Sequence, residues 1–217
     1  MSGSSLQTVV CPPRGMICED EVNELTQCYG VPLRRTYHIQ ADEYIRAYRW
    51  RPDIDRRAEV VFAIQEPNGK IWMHNKAHYP AHLCRLPSGG VGWHESIQEA
   101  LFREVQEETG LTVQIGCFVG LLEYRFHHEG SVAKFASYLF HLSAGNQRPV
   151  LPVDEEITAF HEIMPSQLLQ LTVEMRNMMG DRRGWGIWRA LAHDTMYEYF
   201  YPTPKKIDFS YCVSAND

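Results

Sequence analysis

Three glutamates, Glu104, Glu107 and Glu108, fall within five residues of one predicted helix in the stretch GGVGWHESIQEALFREVQEETGL, residues 89–111. Like charges at helical spacing repel one another, so the arrangement has to be compensated. At about 100° per residue, Ile97, Ala100, Leu101 and Val105 share one face, the face expected to meet a core. Glu104 and Glu108 fall inside that arc and Glu107 at its edge, while Gln98, Glu99, Arg103 and Gln106 hold the opposite side. A carboxylate withdrawn from water costs several kcal/mol unless it is paired or bound to a cation. A surface helix with an Arg103–Glu107 pair accounts for those two residues at a few tenths of a kcal/mol. It does not account for Glu104 and Glu108 beside Leu101. A divalent cation would offset their repulsion and keep both ionised.

The same stretch resembles the Nudix box, G-x5-E-x7-R-E-U-x-E-E-x-G-U, where U is a bulky aliphatic residue. Gly89, Glu95, Arg103, Glu104, Val105, Glu107, Glu108, Gly110 and Leu111 fill every defined position. The resemblance implies an α+β fold, a mixed β-sheet sandwiched between α-helices. It also implies a metal-dependent hydrolase that cleaves the diphosphate linkage of a nucleoside diphosphate joined to another moiety, with Mg2+ or Mn2+ as cofactor. Carried over position by position, Glu104, Glu107 and Glu108 would bind the metal, with the backbone carbonyl of Ser88 or Gly89 as a further ligand. Glu95 and Arg103 would brace the loop and orient the carboxylates. Glu107 is a candidate general base, as are Glu155 and Glu156 in PVDEEIT, although those two read first as an acidic solvated turn. Gly92, Trp93 and His94 occupy variable positions and bear on what the pocket admits. The extra signatures of the coenzyme A, ADP-ribose and dinucleoside polyphosphate subgroups are not reproduced outside the box. A catalytically silent nucleotide sensor is the alternative, although a sensor has no need of three carboxylates on a costly face. A prenyl diphosphate isomerase finds support only in Cys84.

Positioning these groups falls to the surrounding elements. Ser96 and Glu99 form a capping box, so the helix should begin near Ile97, and Gly110 is a natural left-handed terminator. EDEVNELTQCYG suggests a short helix. Strand pattern begins at Tyr37, and YIRAYRW, residues 44–50, alternates like a further strand. AEVVFAIQ and IWM, separated by EPNGK, read as paired strands, and CFVGLLEYRF and AKFASYLFHL as a hairpin turning at HHEGSV. ITAFHEIMP follows as a last strand. A helix starting at Pro165 and another over GIWRALAHDTMYEYF close the pattern. One domain over residues 36–205 is expected, with residues 1–35 as an N-terminal extension and 206–217 as a tail.

The seven arginines between positions 34 and 57, interleaved with Asp42, Glu43, Asp53 and Asp55, read first as a solvated, mutually paired strand face; Arg46, Tyr48 or Trp50 is the candidate substrate contact, because guanidinium grips phosphate and an aromatic ring stacks on a base. Lys76 is another, in a polar segment leading toward the box. The nearby His74, His78, His82 and Cys84 match no zinc spacing, and Pro80 interrupts any helix that would align them. His127, His128 and Glu129 mark a hairpin tip. Trp185, Trp188 and Leu191 suit a core or a subunit contact. Hydrophobic residues make up 44% and charged residues 22% of the 217, ordinary for a globular chain. The formal charge of -6 argues against a nucleic-acid partner. No apolar run nears the roughly 18 residues of a membrane span. MSGSSLQTVV lacks the features of a secretion signal, and the six scattered cysteines suit reduced thiols, so the expected location is cytoplasmic. The expected partner is a small nucleotide-like diphosphate, and a homodimer is compatible with the resemblance.

Overall fold

The computed structural model describes residues 14–51, 54–80, 82–153 and 156–202. The tail expected at 206–217, the candidate base Glu155 and the first thirteen residues lie outside the described residues. In chain order the elements are α1 (Glu19–Tyr29), β1 (Leu33–Gln40), α2 (Glu43–Arg49), β2 (Arg56–Gln65), β3 (Ile71–Lys76), β4 (Ser88–Gly92) and α3 (Ile97–Thr109). They continue with β5 (Gln114–His128), β6 (Ser131–Ser143), β7 (Ile157–Ile163), α4 (Leu168–Arg176) and α5 (Arg183–Phe200).

The strands form one mixed sheet in the order β1-β5-β6-β2-β3-β7. β1 runs parallel to β5 and β6 parallel to β2, while β5–β6 and β3–β7 are antiparallel. Strand β2 is buried at every position from Arg57 to Ile64, as a central strand covered on both faces must be. Its other edge is divided: β4 pairs with Arg56–Val61, and β3 joins only at Gln65. That division puts β4, the entry to the box, at the middle of the molecule.

Helices cover both sheet faces. On one, Val22 and Leu25 of α1 and Ile97, Leu101 and Val105 of α3 pack with Val60, Phe62, Phe118 and Phe140. On the other, Ile45 of α2 and Trp188, Ala192 and Met196 of α5 pack with Val61, Leu122, Phe126 and Phe135. The expected α+β sandwich is therefore the observed one. The boundary expected at residue 36 falls inside β1, whose neighbour α1 contributes Val22 and Leu25 to the core. Helix α3 starts at Ile97 with both halves of its capping box formed, and ends on Gly110 at φ +68°. The β5–β6 hairpin turns on Glu129 and Gly130, both at positive φ, as a tight two-residue hairpin turn requires.

Residues 44–50 correct the sequence reading: they form α2 and its C-cap, not a strand. The alternation that suggested a strand also places Tyr44 and Tyr48 one helical turn apart, where their rings stack at 6.5 Å. Asp42 supplies the decisive local signal, since its carboxylate accepts from the Ile45 N–H at 3.0 Å as an N-cap.

A buried histidine fastens α5 beneath the segment leading into β4. His193 is 1% exposed, Nδ1 lies 3.0 Å from the Arg189 carbonyl, and Nε2 accepts from the Leu86 N–H at 3.1 Å. Only the neutral ring carrying its proton on Nδ1 satisfies both bonds. Burial accordingly pushes its pKa down to about 3. An unfolded histidine titrates near about 6.5, so stability from this site is complete above that pH and is lost as pH falls toward 3. Urea unfolding between pH 7.5 and pH 5 should show His193 contributing a loss approaching about 1.4 kcal/mol per pH unit below the unfolded value. His193→Gln should flatten the profile, and an unchanged slope would remove the assignment.

Candidate active site

Strand β4 and helix α3 meet in a tight junction organised by Arg103. Its Nη2 donates to the Gly90 carbonyl at 2.8 Å and to Glu95 at 2.7 Å, and its Nε reaches the other oxygen of Glu95 at 3.1 Å. Its Nη1 donates to Glu104 at 2.7 Å and to Glu107 at 2.9 Å. Glu95 also accepts from the Gly92 N–H at 2.6 Å, tying the loop before α3 back to β4. The Glu95 hydrogen bond is the largest of the interactions that raise the Arg103 pKa further. One guanidinium thus fixes the loop, the strand and two carboxylates together.

The far end of the carboxylate row is buried. Glu108 is 1% exposed; Oε1 accepts from Lys76 Nζ at 2.8 Å, while Oε2 has no hydrogen-bond partner and lies 3.6 Å from His74 Nδ1. Burial raises its pKa to about 7, against the lowering influence of Lys76. Glu104 is raised in the same direction, again chiefly by burial, with Arg103 opposing. Its carboxylate lies directly over Gly89: a Cβ at that glycine would fall 1.8 Å from the carboxyl carbon. Glu107 is half exposed.

These facts bear on a metal. Glu104 and Glu108 stand one helical turn apart on the face that also buries Leu101 and Val105, and Glu108 carries a buried oxygen without a partner. Carboxylate oxygens suit a hard divalent cation. Among the described residues, no three His, Cys, Asp or Glu side chains converge as a formed cage. Arg103, bridging Glu104 and Glu107, holds two of the carboxylates in its own network.

A cavity of about 280 Å³ opens beside this edge, reaching Ser88 and Gly89. Its cations are Arg56, Lys76, Arg85 and Arg189, and its aromatic walls include Tyr48, Tyr79 and Trp185. Arg85 donates to Ser88 Oγ at 2.6 Å and to the Tyr79 hydroxyl. Arg189 is buried against Glu59, with its Nη1 2.7 and 2.8 Å from the two carboxylate oxygens, and Ser137 donates to Glu59 at 2.6 Å. Burial alone would raise the Glu59 pKa, but Arg189 and Ser137 hold it below the usual value.

Of the proposed substrate contacts, Tyr48 and Lys76 line this cavity. Arg46 does not; with residues 44–50 helical, its guanidinium lies on the exposed side of α2, held by Glu43 at 2.8 Å. Glu156 is at the cavity rim, paired with His78 at 2.6 Å. His74 is buried beside Glu108, whereas His82 is exposed, so the histidines of this segment diverge. Arg85 and Arg189 escaped the sequence reading, which took Trp185 as core or a subunit contact and not as a cavity wall. Arg85 carried one usable signal, its place three residues before the box-entry Ser88; the two α5 residues arrive only through the tertiary fold. Trp185 and Trp188 are both core and cavity wall.

Comparison with known proteins gives the chain its relatives. It is 36% identical over 61 residues to Nudix hydrolase 27, chloroplastic, of Arabidopsis thaliana, covering 28% of this chain and 26% of that protein. It is 44% identical over 48 residues to the RNA pyrophosphohydrolase of Cellvibrio japonicus (strain Ueda107), covering 20% of this chain and 28% of that one. The matched segments thus span little more than a quarter of either relative. Among solved structures, the E. coli dihydroneopterin triphosphate pyrophosphohydrolase matches at 16% identity and a TM-score of 0.45, over 67% of this chain and 95% of that one. A C. elegans Ap4A hydrolase matches at 17% identity and 0.41, over 62% and 95%. A family model described as the NUDIX domain matches residues 55–181, more than half of the chain and all of the box, and the chain belongs to the Nudix family.

Proposed function

We propose that this protein is a divalent-cation-dependent hydrolase that cleaves the diphosphate linkage of a nucleoside diphosphate joined to another moiety. The observation carrying this reading is the pair Glu104 and Glu108 on the inner side of α3, against Gly89 and Lys76, which line a cavity walled by arginine, lysine and aromatic rings. The names of two relatives, a Nudix hydrolase and an RNA pyrophosphohydrolase, support the same reaction class.

Glu104, Glu107 and Glu108 would hold Mg2+ or Mn2+, which when bound supplies charge neutralisation at phosphate and a more acidic water. Arg103, on α3 and tied to Gly90 and Glu95, holds Glu104 and Glu107 in place, so little reorganisation is needed to assemble the carboxylates. Arg56, Arg85 and Lys76 draw the phosphates toward β4, with Arg85 anchored on Ser88. Tyr48, Tyr79 and Trp185 offer apolar faces to a base or ring and keep bulk water from that side. Proton acceptance from the attacking water falls to Glu107 or to Glu156, and Glu156→Gln separates the two: at saturating metal it should lower turnover by orders of magnitude if Glu156 is the base and leave it nearly unchanged if Glu107 is.

A panel of ADP-ribose, nucleotide sugars, dinucleoside polyphosphates, nucleoside triphosphates and coenzyme A, assayed with and without magnesium, tests the reading. Turnover of at least one member should require the metal and fall by orders of magnitude in Glu104→Gln and in Glu108→Gln, with the circular dichroism spectrum retained. Saturable binding without turnover on every member would overturn it. Gly89→Ala supplies a sharper test, since the new methyl group displaces the Glu104 carboxylate, the flexible end of a side chain, and no backbone. The variant should melt close to the wild type yet bind Mn2+ at least about tenfold more weakly, a loss of about 1.4 kcal/mol. Equal Mn2+ affinity would detach Glu104 from the metal.

A further inference from the structure

A second cavity, of about 510 Å³, lies on the other side of Arg56 from the one beside α3. It falls within the range of small-molecule sites. Its walls combine cations with the apolar surfaces of Ile17, Ile54 and Trp93. Of its cations, Arg56 pairs with Asp55 at 3.1 Å and Arg57 with Glu21 at 2.9 Å, whereas Arg49, Arg125 and Lys134 have no ion-pair partner among the described residues.

Arg49, at the end of α2, is 5% exposed, and its Nε has no hydrogen-bond partner. Among the described residues no carboxylate is within ion-pair distance of it; its guanidinium sits 3.9 Å over the Phe135 ring and 5.5 Å from that of Tyr48. Burial of this uncompensated charge brings its pKa down to about 10, so it is a cation at neutral pH held at a cost. Arg125 and Lys134 add two exposed cations to the same wall. They are direct cross-strand partners on β5 and β6, where like charges destabilise a sheet, and neither has an ion-pair partner among the described residues. The two carboxylates in the same wall, Glu19 and Glu123, are both engaged by Arg34, at 2.9 and 3.7 Å. Arg57 is spent on Glu21.

We infer that the cavity bounded by Arg49, Arg125 and Lys134 is a binding site for a phosphate-bearing compound, distinct from the cavity beside the α3 glutamates and adjoining it at Arg56. Phosphate would compensate the buried Arg49 while the exposed Arg125 and Lys134 add attraction from the rim, and guanidinium matches its oxygens in pairs. The exposed edge of Trp93 and the side chain of Ile54 give an attached ring or chain an apolar surface to lie on. Among the described residues, the carboxylates in its wall are Glu19 and Glu123, both engaged by Arg34, and the site is proposed for binding.

Titration of the full chain with inorganic pyrophosphate, with no divalent cation present, tests the site. The Trp93 indole N–H resonance, assigned by its absence in Trp93→Phe, should move saturably. The double variant Arg125→Gln/Lys134→Gln, altered only at exposed side chains, should weaken that response at least about tenfold, and Arg49→Gln should do the same if it folds. Glu108→Gln should leave it intact. No saturable shift at Trp93, or an undiminished one in the double variant, overturns the site. Because neither metal nor turnover enters the measurement, its failure and a failure of the proposed hydrolysis are separable. Inorganic phosphate inhibition then identifies the source of the ligand: competitive inhibition abolished by the double variant places a distal phosphate of the substrate here, and a non-competitive effect abolished by it places a separate ligand here.

Discussion

Everything in the site depends on how one guanidinium distributes its hydrogen bonds. Arg103 sits on a helix whose inner face carries two carboxylates that burial pushes toward protonation. Glu104 is largely buried over Gly89 and Glu107 is half exposed, so the two carboxylates face different surroundings. Arg103 binds both while gripping the Gly90 carbonyl and Glu95, so the position of the carboxylates is fixed relative to β4 rather than to α3 alone. A planar, permanently charged fork can do this; a lysine offers a single point charge and could hold the loop or the acids, not both in register.

That junction is in turn held from outside the matched family segment. Glu21, on α1, accepts from the Ile97 N–H at 2.7 Å, the first residue of α3, and pairs with buried Arg57 at 2.9 Å and with Arg14 at 3.1 Å. A carboxylate at a helix N-terminus satisfies an otherwise orphaned donor and favours the helix dipole. Here it does so across 76 residues of sequence. The N-terminal helix is thus coupled to the start of the box helix by charge as well as by the burial of Val22 and Leu25.

The sequence made local relationships legible and long-range ones illegible, for physical reasons visible in particular residues. Capping at Ser96 and Glu99, termination at Gly110 and the inward arc of Glu104 and Glu108 are all set within a few turns of chain, and each could be read from spacing. The strands flanking the box followed from runs of β-branched and aromatic residues. Residues 44–50 failed because a spacing of four, Tyr44 to Tyr48, satisfies both periods, and the arbiter was the Asp42 cap just upstream. That misreading carried Arg46 toward the substrate when the helix turns it outward. Arg189 and Glu59 lie 130 residues apart and meet only because α5 crosses the face of β2. No spacing rule reaches that far.

The buried Glu59–Arg189 pair then explains why the cavity can be cationic at all. Removing two charges from water is costly, and such a pair is weak support for stability taken by itself. Its geometry, however, leaves Arg189 fixed in the cavity wall with most of its charge answered, alongside Arg56, Arg85 and Lys76. Cations converging there would repel one another at low dielectric, and Glu59 answers Arg189 as Glu108 answers Lys76 and Asp55 answers Arg56. With Glu59 embedded behind them, the wall keeps a moderate positive surplus, while the adjoining face of α3 is acidic. The proposed substrate complex has the complementary arrangement, a divalent cation beside a polyanion. A site that is acidic on one side and basic on the other binds the two together more readily than either separately, which is the physical reason for placing the carboxylates of α3 against this cavity.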